Sequence, residues 1–196
     1  MLFILVVWSL VFLGGRKTGM FLIPMFIMVA GINVLNLFSY DRQTKWETYV
    51  LTLPVPRWKM VLEKYFYAVC ISTFFGLIAV AVVAAAAAVK GMAMGPEFLL
   101  ELLMNWLTGI VISFFYNSFS IPLTYWLGVE KARLIPSVLI AAAVFLFVAF
   151  ASAYGSGFTV SEGTAAIAIA AGALGTVIMM VLSYFISVRI YKKKEF

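Results

Sequence analysis

The chain has 196 residues, 65% of them hydrophobic and only 11% charged, with a mean hydropathy of +1.09, which excludes a soluble globular protein and leaves an integral membrane one. A span needs roughly 20 mainly apolar residues to cross about 30 Å of hydrocarbon, so this length holds about six spans and short loops. The net charge of +6 is that of a basic rim against anionic headgroups and requires no nucleic acid.

Apolar stretches in chain order place spans at about 1–13, 20–37, 66–89, 98–121, 134–154 and 164–188. The first is short: thirteen residues before Gly14-Gly15 rise roughly 20 Å, less than the hydrocarbon thickness. Either the natural start lies further upstream or this helix is unusually short. A signal peptide would carry basic residues ahead of its apolar core, and none precede Arg16. Gly14-Gly15-Arg16-Lys17-Thr18 is not a phosphate loop, because Arg16 stands where glycine must precede the lysine.

Lys and Arg set the orientation, since basic residues near short loops stay on the cytoplasmic side. With both termini inside, Arg42, Lys45, Arg57, Lys59, Lys64, Lys131, Arg133, Arg189 and Lys192 to Lys194 face the cytoplasm, and Arg16, Lys17 and Lys90 lie outside. The polar insert at 38–65, which carries eight of the chain's charges, is then cytoplasmic. Within it Trp46, Tyr49, Val50 and Leu53 recur at i, i+3, i+4 and i+7, the period of a helix with one apolar stripe. Lys45, Glu47, Thr48 and Thr52 take its other side. Pro54 and Pro56 end that helix, because proline lacks the backbone donor and restricts the residue before it. Trp58, Val61, Leu62 and Tyr65 then repeat the stripe and lead into the third span, with Arg57–Lys64 as its basic start. Such a helix, elbow and helix lie along the membrane surface as an interfacial anchor, or dock a soluble partner.

Further along, the lone Cys70 sits in an apolar run and reads as a small buried hydrophobe. Asn33, Asn36, Asn105 and Asn117 are the polar exceptions within the spans, expected to bond between helices. Asn105, Asn117 and Ser118 are also candidates for lining a substrate path. Every Asp, Glu, Lys and Arg is expected in a loop, at a span's edge or in the tail, so no charged cavity is foreseen. Ala84 to Ala88, Ala141 to Ala143 and Ala165 to Ala173 let helix backbones approach closely.

The inventory excludes the usual catalysis: with no His, one Cys and no pair of carboxylates inside the membrane, neither a nucleophile and base nor a metal-ligand set can be assembled. Ion-coupled transport keeps an ionisable group at membrane depth, and none is expected here. Uphill movement would draw its energy from another polypeptide.

The insert resembles the first cytoplasmic loop of ABC-2 type transporter permeases, particularly the small Gram-positive group that includes the phenol-soluble-modulin exporters. Phe38, Ser39 and Asp41 fit the start of that pattern, Trp46 and Tyr49 its aromatic pair, Leu53-Pro54-Val55 its leucine-proline step, and Arg57, Val61, Lys64 and Tyr65 its basic entry to the third span. Pro122-Leu123, Tyr125, Gly128 and Glu130-Lys131-Ala132-Arg133 are similar to a second family segment. The resemblance implies an all-α permease, type V exporter-like, with six transmembrane helices, both termini cytoplasmic and residues 1–196 as one domain in a bacterial cytoplasmic membrane. It also implies a second permease copy, identical or related, and a soluble ABC ATPase that supplies ATP and Mg2+ chemistry, this chain holding no cofactor or metal. Residues 46–53 would be the coupling helix, with Pro54 and Pro56 setting its angle. Asp41, Lys45, Trp46, Glu47, Tyr49, Val50, Leu53, Arg57 and Lys64, joined by Glu130, Lys131 and Arg133, would then couple to the ATPase. The cargo implied is an amphipathic or antimicrobial peptide, or other hydrophobic cargo. The competing readings are a membrane sensor or immunity protein that binds peptides without moving them, and a lipid-modifying enzyme using Asp41 with Glu47.

Overall fold

The computed structural model describes residues 16–50, 52, 54–91, 94–135, 138 and 162–193. Their regular structure is helical: α1 (Arg16–Gln43), α2 (Trp46–Val50), α3 (Arg57–Val89), α4 (Pro96–Leu127) and α5 (Glu162–Lys193), with residues 129–135 helical as well. Four stretches among the described residues are long and apolar enough to cross a bilayer: Met20–Gln43, Arg57–Val89, Pro96–Leu127 and Ala171–Lys193. The expected span at 1–13 and nearly all of that at 134–154 lie outside the described residues.

Helices outrun the apolar stretches that announce them. The 33 residues of α3 rise about 50 Å, well beyond the roughly 30 Å of hydrocarbon. α1 carries on through the first six residues of the expected insert, and α4 through residues 122–127 despite Pro122. The loops shrink accordingly, to residues 44–45 before α2, residues 52 and 54–56 among the described ones after it, and Gly128 after α4. Backbone hydrogen bonding continues where apolarity stops, because a helix needs its own carbonyls and not lipid.

The chain forms two compact units, Met1–Val34 with Tyr65–Asn117, and Leu35–Lys64 with Ser118–Phe196. In the first, Ile23, Ile27, Ala79, Val83, Phe98 and Leu102 form the core. Glycine lets its helices meet. A Cβ on Gly109 would stand 2.8 Å from the Pro24 Cα, and one on Gly76 2.6 Å from the Trp106 Nε1, both too close for any larger residue without a shift. Gly31 makes the same approach to Ser113. Beside it, the Ser72 and Ser113 hydroxyls share a buried hydrogen bond of 2.8 Å between α3 and α4.

Cys70 corrects the sequence reading, for it is exposed. It shares an exposed apolar face of α3 with Phe66, Val69, Phe74 and Leu77, as distinct from the face packed within the unit. An apolar run marks both surfaces alike, so hydropathy could not separate them.

In the second unit, α4 passes Pro122 without ending. Proline offers no N–H to the Ser118 carbonyl one turn back, and the Ser183 hydroxyl of α5 donates to that carbonyl instead, at 2.6 Å. Gly128 then stops the helix at φ +87°, its N–H bonded to the Thr124 carbonyl at 3.1 Å, a left-handed helix end.

Candidate functional site

The site is built within the second unit, around the ends of α1, α2, α4 and α5 and the start of α3. α1 closes when the Thr44 N–H and hydroxyl both turn to the Tyr40 carbonyl, at 3.0 and 2.9 Å. Lys45 then reverses the chain at φ 53°. Its carbonyl accepts the Tyr49 N–H and so opens α2. That helix ends at Val50, short of the expected residue 53, because the Thr52 N–H and hydroxyl both return to the Tyr49 carbonyl and tighten the last turn. Leu53 and the Glu47 side chain lie outside the described residues. Pro54 and Pro56 are exposed in the elbow, and the Pro56 carbonyl accepts the Lys59 N–H as α3 begins.

Of the described residues of the expected apolar stripe, Val50 is buried, while Trp46 and Tyr49 are exposed and lie ring to ring at 5.6 Å.

The centre of the unit is an ion pair. The Lys64 ammonium bonds the Asp41 carboxylate, with side-chain exposures of 7% and 13%. It also stands 5.6 Å from the centre of the Phe38 ring, a favourable place for a cation. Phe38 packs edge-on to Tyr125 at 5.1 Å, Tyr125 meets Tyr191 at 5.2 Å, and the Tyr191 hydroxyl donates to the Met60 sulfur at 3.3 Å. Arg57 adds a bond of 2.9 Å to the Lys192 carbonyl. Together these contacts tie α1, α3, α4 and α5. A buried pair costs much to desolvate and is lost at a large penalty if one partner goes.

Here the sequence reading needs two corrections. Lys64 lies in α3, as its place in the basic start of the third span led one to expect, but it is buried inside the unit and not at an interfacial surface. A charged cavity also exists, of about 260 Å³, lined by Asp41, Lys59, Glu63 and Lys64 with Trp46, Val50, Met60, Tyr125 and Tyr191 among its walls. Both escape a sequence reading because the pairing of Asp41 with Lys64 spans 23 residues. Phe38 and Tyr125 carried a signal, being part of the family pattern. Tyr191 and Met60 carried none.

The remaining candidates fall elsewhere. Glu130 and Lys131 are exposed. The Arg133 guanidinium donates to Asn36 Oδ1 at 3.1 Å, which gives that asparagine a partner on another element. Arg42 lies over Gly128, its Nη2 2.9 Å from where a Cβ would stand. In the first unit Asn33 and Asn105 donate to carbonyls of their own helices, Val29 at 2.9 Å and Glu101 at 2.8 Å. Asn117 is fully buried and donates to the Ser113 carbonyl at 2.9 Å, while its Oδ1 has no partner among the described residues. Ser118, in the second unit, is buried too.

A family model described as ABC-2 family transporter protein matches residues 1–192, and the chain belongs to that family. It is thus an integral membrane permease subunit of an ABC transporter, and membership implies partnership with an ABC ATPase. No curated protein and no solved structure matches the chain.

Proposed function

We propose that the chain is the permease of an ATP-driven exporter in a bacterial cytoplasmic membrane, type V exporter-like, with six spans and both termini in the cytoplasm. Two copies, or this chain and a relative, enclose the path, and a separate ATPase binds ATP and Mg2+. Its group is that of the phenol-soluble-modulin exporters, and its cargo is an amphipathic or antimicrobial peptide or another hydrophobic molecule. The observation that carries this reading is the mounting of α2: Val50 anchors it, Trp46 and Tyr49 remain exposed, and the helices on either side of it in sequence are joined by the Asp41–Lys64 pair. A short helix held that way is a coupling helix, since force on it reaches α1 and α3 without being lost in a slack loop.

In this reading Trp46 and Tyr49 grip the ATPase, with Lys45, Glu47 and Leu53 beside them. Pro54 and Pro56 stiffen the elbow, Asp41, Arg57 and Lys64 transmit, and exposed Glu130 and Lys131 with Arg133 make a second contact. Asn117, with Asn105 and Ser118, serves the cargo path, and the unpartnered Asn117 Oδ1 is an acceptor suited to a peptide N–H. The test is purification of the tagged chain from its native membrane. A protein carrying ATPase motifs should accompany it, and Trp46→Ala with Tyr49→Ala should lower its recovery at least tenfold while membrane insertion is unchanged. Equal recovery with both rings removed would refute the coupling role of α2.

A further inference from the structure

With Asp41 and Lys64 closed on each other, two opposite charges in the cavity wall stay weakly engaged. Lys59 and Glu63 stand one turn apart on α3, a spacing that puts both side chains on one helix face, and both line the cavity. They do not pair with each other. Among the described residues the Lys59 ammonium meets only the Trp58 ring, at 5.6 Å from its centre. Glu63 reaches only Lys64, at 3.6 Å, a lysine that Asp41 holds more closely, and its side chain remains 58% exposed.

The rest of the cavity is graded in polarity. Exposed Trp46, Val55 and Lys59 form its rim, while buried Val50, Tyr125 and Tyr191 form its floor with Met60. Its residues also lie close to the termini of the spans: Asp41 near the end of Met20–Gln43, Lys59 near the start of Arg57–Val89, Tyr125 near the end of Pro96–Leu127 and Tyr191 near that of Ala171–Lys193. Span ends meet the headgroup layer. A cation and an anion side by side, over an apolar floor and at that depth, match a zwitterion that brings its own hydrocarbon.

We propose that this cavity binds the phosphoethanolamine headgroup of a membrane phospholipid, with the phosphate on the Lys59 ammonium and the primary amine on the Glu63 carboxylate. The glycerol and first acyl carbons cover Met60 and the tyrosine floor. A primary ammonium gives the carboxylate directed N–H donors that a choline lacks. A purely anionic headgroup satisfies Lys59 but sets its charge against Glu63 and Asp41. The cavity shares Trp46, Val50, Asp41 and Lys64 with the coupling role proposed for α2, but the headgroup is held by Lys59 and Glu63, which have no part in that role, and lipid binding is read without any ATPase.

The experiment is native mass spectrometry of the purified full chain, titrated with short-chain phosphatidylethanolamine, phosphatidylcholine or phosphatidylglycerol. The ethanolamine lipid should be retained at least fivefold over the other two. Glu63→Gln should bring it down to the choline level, and Lys59→Gln should weaken retention of both zwitterionic lipids, whereas Lys59→Arg keeps it. Equal retention of all three lipids by the unaltered chain overturns the proposal, a comparison that needs no variant to fold. So does an ethanolamine preference that survives Glu63→Gln, or retention that Lys59→Gln leaves unchanged. Displacement by soluble glycerophosphoethanolamine at equal concentration assigns the site to a soluble ligand and overturns it as well.

Discussion

The two compact units are closed by opposite means. The first brings helices together by subtraction: Gly31, Gly76 and Gly109 remove side chains so that Ser113, Trp106 and Pro24 can approach, and the Ser72 and Ser113 hydroxyls bond across the gap. The second closes by addition, with a buried lysine and aspartate and a run of rings from Phe38 through Tyr125 to Tyr191. In hydrocarbon, apolar side chains gain nothing by leaving lipid for one another, so close backbone contact is the economical solution. Where four helices end, water competes and sequence turns polar, and charge and aromatic edges can be matched. Contact by small residues is sensitive to added atoms, contact by charge to their removal.

The sharpest way to break the second unit is to strand a charge. Lys64→Ala leaves the Asp41 carboxylate buried and unpaired, expected to cost about 3–5 kcal/mol, and Asp41→Leu with Lys64→Met should recover most of it. Unfolding by SDS titration in mixed micelles measures both, and a single-variant cost under about 1 kcal/mol would mean that the pair does not hold the unit together. In the first unit the matching test adds one methyl. Gly109→Ala presses on the Pro24 backbone, which cannot rotate away, and should cost about 1–3 kcal/mol in the same assay. The smallest effect sharpens the contrast: Ser72→Ala removes the hydroxyl bond to Ser113 and should cost only about 0.6 kcal/mol, as such bonds do within membranes. A serine variant as damaging as the glycine one would show that polar bonding, not backbone approach, closes that unit.

Much of this was legible beforehand. The period of Trp46, Tyr49 and Val50 announced α2, the prolines its elbow, and the charge pattern a polar region between helices. Length went astray because hydropathy marks what lipid surrounds, whereas α1 and α4 continue on backbone hydrogen bonds into polar sequence. Cys70 went astray because lipid-facing and protein-facing surfaces have the same composition. Lys64 read as one more basic residue near a membrane surface, since nothing local to it reveals a carboxylate 23 residues away.

Sequence by itself determined that this chain lives in a bilayer and that it joins the ABC-2 transporters, because hydrophobicity is additive along a chain and the family pattern is written in order. Tertiary structure alone decided which charges are partners and which remain available. Asp41 closes on Lys64, Lys59 and Glu63 stay apart, and a cavity opens beside them. Coulomb attraction depends on distance in space, which the folded helices set and the order of residues does not.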